Sequence, residues 1–344
     1  MSGFTLGLVI LGGLVLALLV AWNAWTTRKL APRQAQQPPR QDPRGGGPID
    51  PDNPIEPVFD TEPVPPLPMP ERKPGLDALI DVLAPIAVES PVSGEAAVAA
   101  LPATRRAGSK PFAIEGLNDA TQHWETPHPG ERYAAFQAGV QLANRTGALN
   151  EIEFSEFVVK AQAFADAVNG APEFPEMLHE VARARELDQF ASQHDAQLGF
   201  TLRARNAAWS PGYVHQNASR FGFVSGAIPG RLVLPASQPG HPLLVLSFDT
   251  QAALSEDPAQ SAIREVTLSL DVPQVHRAEQ PFARMRDAAL GLAEGMDGVI
   301  TDDNGQPIQV EALDVVGADL EMLYDTLEAR DLAAGSPQAR RLFN

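Results

Sequence analysis

Apolar positions follow three different rhythms along this chain, and each rhythm predicts its own kind of element. From Phe4 to Trp25 no residue is charged, and Leu8-Val9-Ile10-Leu11 and Leu14-Val15-Leu16-Ala17-Leu18-Leu19-Val20 leave no polar face. At about 1.5 Å of rise per residue, such a run spans a hydrocarbon core of roughly 30 Å, so residues 1–27 are expected to hold a transmembrane helix. A cleaved signal peptide would want a basic segment before the run and an A-x-A exit after it. Nothing basic precedes Phe4, and the exit reads Ala21-Trp22-Asn23-Ala24-Trp25.

Beyond Gly75 the other two rhythms interleave. Period-two alternation predicts strands at 79–88, 112–117, 132–142, 198–203, 231–234, 243–248 and 266–270, with a short one at 223–224. Helical spacing predicts helices at 93–101, 150–168, 175–193, 214–221 and 281–296. A last helix carries the stripe Leu313, Val316, Leu320, Leu323, Leu327. Asn150 and Glu153 make a capping-box start, with Phe154, Phe157, Ala161 and Phe164 on one face behind it. Pro175 suits the first turn of the helix that follows. Val299-Ile300 and Pro307-Ile308 flank Thr301-Asp302-Asp303-Asn304-Gly305-Gln306, a hairpin whose Asn-Gly supplies the positive φ of a tight turn. The fold class is α+β, with two modules at 76–180 and 181–344. Helices on one face of a sheet leave its other face open.

The two modules share a pattern. Residues 140–170 align without a gap on 268–298: Val140 with Leu268, Phe154 with Phe282, Phe157 with Met285, Ala161 with Ala289, Phe164 with Leu292, and Asn169-Gly170 with Asp297-Gly298. A duplication would produce this, and so would any two strand-helix units of similar length.

Composition changes the picture at the N-terminal side. Residues 31–74 include 14 prolines and a Gly45-Gly46-Gly47 run, with no apolar period, so 28–75 reads as a disordered, partly polyproline-like linker. Arg28, Lys29, Arg33, Arg40 and Arg44 follow the apolar run against Asp42 alone. The positive-inside rule then puts the body in the cytoplasm. The whole chain has a formal charge of -17, which argues against a nucleic-acid partner. It has no cysteine, so disulfides and thiolate chemistry are excluded.

Candidate chemistry is sparse. The histidines are scattered, and His123 and His128 flank Trp124 in a proline-bearing loop without a third ligand at metal-binding spacing. Asp302 and Asp303 could hold a cation, but a strand-turn-strand setting gives them a turn-capping role. No phosphate-cradling or nucleophile motif is present, so neither an enzyme, a cofactor nor a small-molecule substrate is expected.

The order of parts, anchor, Arg28-Lys29, Pro/Gln-rich linker and α+β module, together with Arg220-Phe221-Gly222-Phe223, the strand at 243–248, Val266-Thr267-Leu268-Ser269-Leu270-Asp271-Val272-Pro273 and the stretch from Met285 through Gly298-Val299-Ile300-Thr301-Asp302-Asp303, resembles the bacterial division protein family ZipA over about 186–330. The resemblance implies a split β-α-β sandwich whose open sheet face binds the C-terminal tail of the tubulin-like FtsZ, tying the division ring to the inner membrane. It places the peptide-binding groove near Thr201, Ile228, Ser247, Thr267 and Ser269, which are smaller and more polar than the methionine and phenylalanine usual in that family. Leu246, Phe248, Leu268 and Leu270 should then be core. An envelope-facing structural or wall-binding protein of opposite topology is the alternative.

Overall fold

A computed structural model describes residues 33–34, 75–238, 240–254, 261–302 and 305–344. The transmembrane run expected within 1–27 and the linker expected at 28–75, apart from residues 33, 34 and 75, lie outside the described residues, as do Asp303 and Asn304. Among the described residues no helix is long and apolar enough to cross a membrane. The chain is α+β and divides into two compact units. The first comprises 72–198, 271–281 and 314–344, and the described part of the second centres on 199–270 and 282–313. The sequence suggested one cut near residue 180, whereas these units are interleaved along the chain.

In the first unit the elements run β1 (Asp81–Ser93), α1 (Gly94–Ala100), β2 (Arg106–Ala107), β3 (Lys110–Asn118), β4 (Trp124–Glu125), β5 (Arg132–Gln141), β6 (Ala143–Asn144), β7 (Gly147–Ala148), α2 (Glu151–Ala167), β8 (Gly170–Pro172) and α3 (Met177–His194). Its main sheet has the order β2-β3-β5-β1-β8, with β4 on β3. Val82, Ala84 and Ile86 alternate inward along β1, all fully buried. The helix α2 covers that face: Phe157 meets Phe112 edge-on at 6.0 Å, and Phe164 meets Phe136 at 5.1 Å. Its start is the expected capping box, in which Asn150 Oδ1 accepts from the backbone of Ile152 and Glu153 while Glu153 Oε2 accepts from Asn150 N. The next helix begins later than expected: Glu176 is its N-cap, which leaves Pro175 ahead of the helix. β1 outruns its apolar alternation because a register shift between Ala87 and Val92 lets it pair with β5 again as far as Ser93.

The C-terminus returns to this unit. Leu332, Ala339, Leu342 and Phe343 are buried. Gln141 and Gln274 donate to the carbonyls of Arg341 and Phe343 at 2.7 and 2.6 Å. Beside them, fully buried Asp81 is gripped by Arg341, with Nη2 2.5 Å from Oδ1 and Nη1 2.9 Å from Oδ2. Burial pushes the Asp81 carboxyl above its ordinary value, and the Arg341 guanidinium pulls against that shift.

The second unit contains β9 (Gln197–Ala204), α4 (Pro211–Ser219), β10 (Val224–Ser225), β11 (Arg231–Leu234), β12 (Leu244–Ser247), α5 (Thr250–Ala253), β13 (Glu265–Asp271), α6 (Pro281–Met296) and β14 (Gly298–Thr301). After it come α7 (Val310–Glu328) and, in the first unit, α8 (Pro337–Leu342). The strand order is β10-β11-β12-β13-β9-β14. Leu202, Leu246, Leu268 and Leu270 point to the buried side, as do Met285, Ala289, Leu292 and Met296 of α6. Phe248 departs from expectation: β12 stops at Ser247, and Phe248 is only half-buried. α4 starts earlier than its apolar spacing suggested, because Ser210 Oγ caps Tyr213 N and Pro211 occupies the first turn. The expected hairpin after β14 is paired by Asp302 N to Gln306 O at 2.9 Å and Ile308 N to Ile300 O at 3.0 Å. Asp302 Oδ1 caps the turn by accepting from Gln306 N.

Both units follow one chain order. A first strand, β1 or β9, is followed by a short helix, then by strands that pair inward to its side, β5 or β13. A long helix, α2 or α6, leads to an edge strand, β8 or β14, beyond the first strand, and a further helix follows. The correspondence extends to the backbone, since Asn169 and Asp297 turn at φ 52° and 54° and Gly170 and Gly298 open the edge strands. Asx side chains tolerate this left-handed conformation better than most. The sequence repeat is therefore also a repeat of fold.

Replacing Arg341 with Ala leaves the Asp81 carboxylate buried and unpaired, so unfolding by denaturant should show a loss of about 3 kcal/mol at neutral pH, recovered in large part by adding Asp81→Asn. A carboxyl whose folded pKa lies above its unfolded value favours the folded state only while protonated, so the penalty in Arg341→Ala should shrink as pH falls through that folded pKa. An equal loss at pH 4 and pH 7 would contradict this account.

Candidate functional site: the open face of the second sheet

Strand alternation dictates what the outer face of the second sheet presents. Because Leu232, Leu234, Leu244, Leu246, Val266 and Leu268 are buried, residues 231, 233, 245, 247, 267 and 269 point the other way. Register then sets them side by side. Ser247 pairs with Thr267 on one side and Arg231 on the other, and Val245 pairs with Ser269 and Val233. Thr201 pairs with Thr301 at the opposite edge.

Four of the five positions expected from the family resemblance, Thr201, Ser247, Thr267 and Ser269, are thus on strands and on this one face. Ile228 is not on a strand. It sits 54% exposed in the turn between β10 and β11, where its carbonyl accepts from Arg231 N at 3.1 Å.

The register also reveals residues that the resemblance did not point to. Val224 pairs with Val233 and Val233 with Val245, laying three valines in a row across β10, β11 and β12. Val224 is 49% exposed and the other two are half-exposed. The positions of Val233 and Val245, two residues from Arg231 and Ser247, are a period-two signal that was present in the sequence. The row offers apolar contact, and the serines and threonines beside it offer hydroxyls.

Charge frames this strip. Arg231, Arg203 and Arg264 are exposed on the strands and on the approach to β13, and Glu265 lies 3.4 Å from Arg203. Where β12 and β13 begin to diverge, a shallow recess of about 430 Å³ is lined by Ser247, Phe248, Asp249, Arg264, Glu265 and Thr267. Among the described residues no group of three or more His, Asp or Glu side chains is placed to hold a metal ion. The chemistry available is that of a docking strip: a flat apolar row, hydroxyl partners and guanidinium groups at the margin.

With this geometry in view, residues 250–318 match the family described as ZipA, C-terminal FtsZ-binding domain. The resemblance read from the sequence is thereby borne out. The matched stretch takes in α5, β13, α6, β14 and the start of α7, and so includes Val266 to Pro273 and the stretch from Met285 on which the sequence resemblance partly rests. Among curated proteins, none matches the chain.

Arg203 and Glu265 are both largely solvated, and an exposed pair contributes little, so Arg203→Gln should change unfolding free energy by less than about 0.5 kcal/mol. A loss above 1 kcal/mol in chemical denaturation would show that the pair is structural, and would remove Arg203 from the set of groups available to a ligand.

Proposed function

We propose that the second unit docks the C-terminal tail of FtsZ on its open sheet face and that the chain is a non-enzymatic division protein, fixed to the bacterial inner membrane by its N-terminal apolar run with its body in the cytoplasm. The observation that carries this reading is the match of 250–318 to the ZipA FtsZ-binding domain, which takes in β13, one strand of the face, and α6. The face itself supports it. A tail peptide laid across β10 to β13 would place apolar side chains on Val224, Val233 and Val245. It would meet hydroxyls at Ser247, Thr267 and Ser269, with arginines at the margin suited to acidic groups. Thr201 extends the strip toward β14, and Ile228 supplies an apolar contact at its far end.

The membrane part rests on the sequence between Phe4 and Arg44, where an uncharged run is followed by five basic residues against one acidic one. Reporter fusions to the C-terminus test the orientation. Activity of a cytoplasm-dependent reporter is expected, and activity of a periplasm-dependent one would support the envelope-facing alternative and exclude FtsZ as partner.

Titration of the full chain with the FtsZ tail peptide by calorimetry tests the site. Val245→Asp or Ser247→Asp puts a carboxylate where the peptide would desolvate it, and each should weaken binding by about 1 to 3 kcal/mol, roughly five- to 150-fold. Asp302→Ala, at a turn, should bind as the unmodified chain does. Unchanged affinity in both aspartate variants, with circular dichroism showing them folded, would move the site off this face.

A further inference from the structure

The Pro-rich segment between the expected anchor and the body touches the folded protein at a defined place. Arg33 N donates to Ala208 O at 2.7 Å and Ser210 N donates to Arg33 O at 2.9 Å, so Arg33 adds itself as a parallel partner to Trp209. Trp209 is already bonded in both directions to Ile263, which makes a ladder of three segments. The Arg33 side chain continues the contact. Its Nη2 lies 2.7 Å from Asp297 Oδ2, and its Nη1 donates to Met296 O at 3.2 Å. Met296 O also accepts from the buried Trp209 indole at 2.7 Å, and Tyr213 Oη donates to Gly295 O at 3.1 Å. A cation at this spot also meets the negative end of the α6 dipole.

Asp297 carries a second indication. The equivalent turn of the first unit holds Asn169 at the same left-handed φ, so the backbone there needs an Asx residue but not a charge. In the second unit the charge has partners: Asn206 donates to Asp297 Oδ2 at 3.1 Å and Arg33 pairs with it, which together hold the carboxyl below its ordinary value.

We propose that Arg33 is an intramolecular latch that docks the N-terminal segment along Trp209 of the second unit, and that the Trp209–Asp297 site is built to receive it. The consequence, which rests on the membrane reading above, concerns reach. Seven residues lie between Trp25 and Arg33, eight residue steps or at most about 28 Å of extended chain, so the latched second unit stays close to the bilayer. Residues 35–74 then connect Gln34 to the first unit and add nothing to that distance.

Limited proteolysis of the full chain tests the latch without reference to membranes. Trypsin cleavage after Arg33 should be about ten times faster in Asp297→Asn, the residue that the first unit uses at this turn, than in the unmodified chain. Equal rates would overturn the proposal. Arg33→Gln, which leaves α6 untouched, should raise hydrogen exchange at the Ser210 amide about tenfold, and unchanged exchange would likewise overturn it. Protection that is independent of protein concentration fits a latch within one chain; protection that grows with concentration would assign the contact to a second copy and refute the intramolecular form.

Discussion

A strand has two faces, and in the second sheet one of them is fully committed to the core. Leu202, Leu232, Leu234, Leu246, Leu268 and Leu270 are buried, and so are Phe282, Met285, Ala289, Leu292 and Met296 of α6. A shift of one residue in any strand would move leucines to solvent and hydroxyls to the core, so the apolar set pins the register. The pinned register is what aligns Val224, Val233 and Val245 in a row and sets Ser247 against Thr267. The candidate docking strip is thus a by-product of core packing on the other side of the same strands, and it needs no loop to hold it in shape.

The fold repeat gives the molecule two such sheets, and their outer faces have diverged. On the first, Pro85 faces Gln137 and Ala87 faces Ala135, while Leu76 lies over Gly139 and its amide donates to Glu115 Oε1. A Cβ at Gly139 would stand 2.4 Å from Leu76 Cδ2, so the glycine is what lets the incoming chain lie there. Guanidinium groups like those of Arg231 and Arg203 on the second sheet have no counterpart at Gln137, Glu115 or Ala113. The matched stretch at 250–318 belongs mostly to the second unit, which agrees with the chemistry of the two faces.

Much of the fold was legible in the sequence because its signals are local. The capping box at Asn150 and Glu153, the bounds of α6 and the strand at 231–234 follow from side-chain type and period alone. What was not legible depends on partners distant in sequence. The return of 314–344 to the first unit is encoded in Arg341 meeting Asp81 and in Arg277 meeting Glu321 and Asp325, pairs that no periodicity announces. The candidate site shows the same division. The resemblance pointed to Thr201, Ser247, Thr267 and Ser269, which strand pairing sets on one face, but the valine row appears only when three strands are put in register, and Ile228 lies in a turn whose geometry its neighbours set.

The central claim is that the open face of the second sheet is where the chain meets FtsZ. A photo-reactive phenylalanine analogue placed at Val245, on that face, and separately at Ala113, on the outer face of the first sheet, tests it with the purified full chain and purified FtsZ. The account predicts a covalent adduct mapped to the FtsZ tail from position 245 and none from position 113. An adduct from 113 with none from 245 would contradict it.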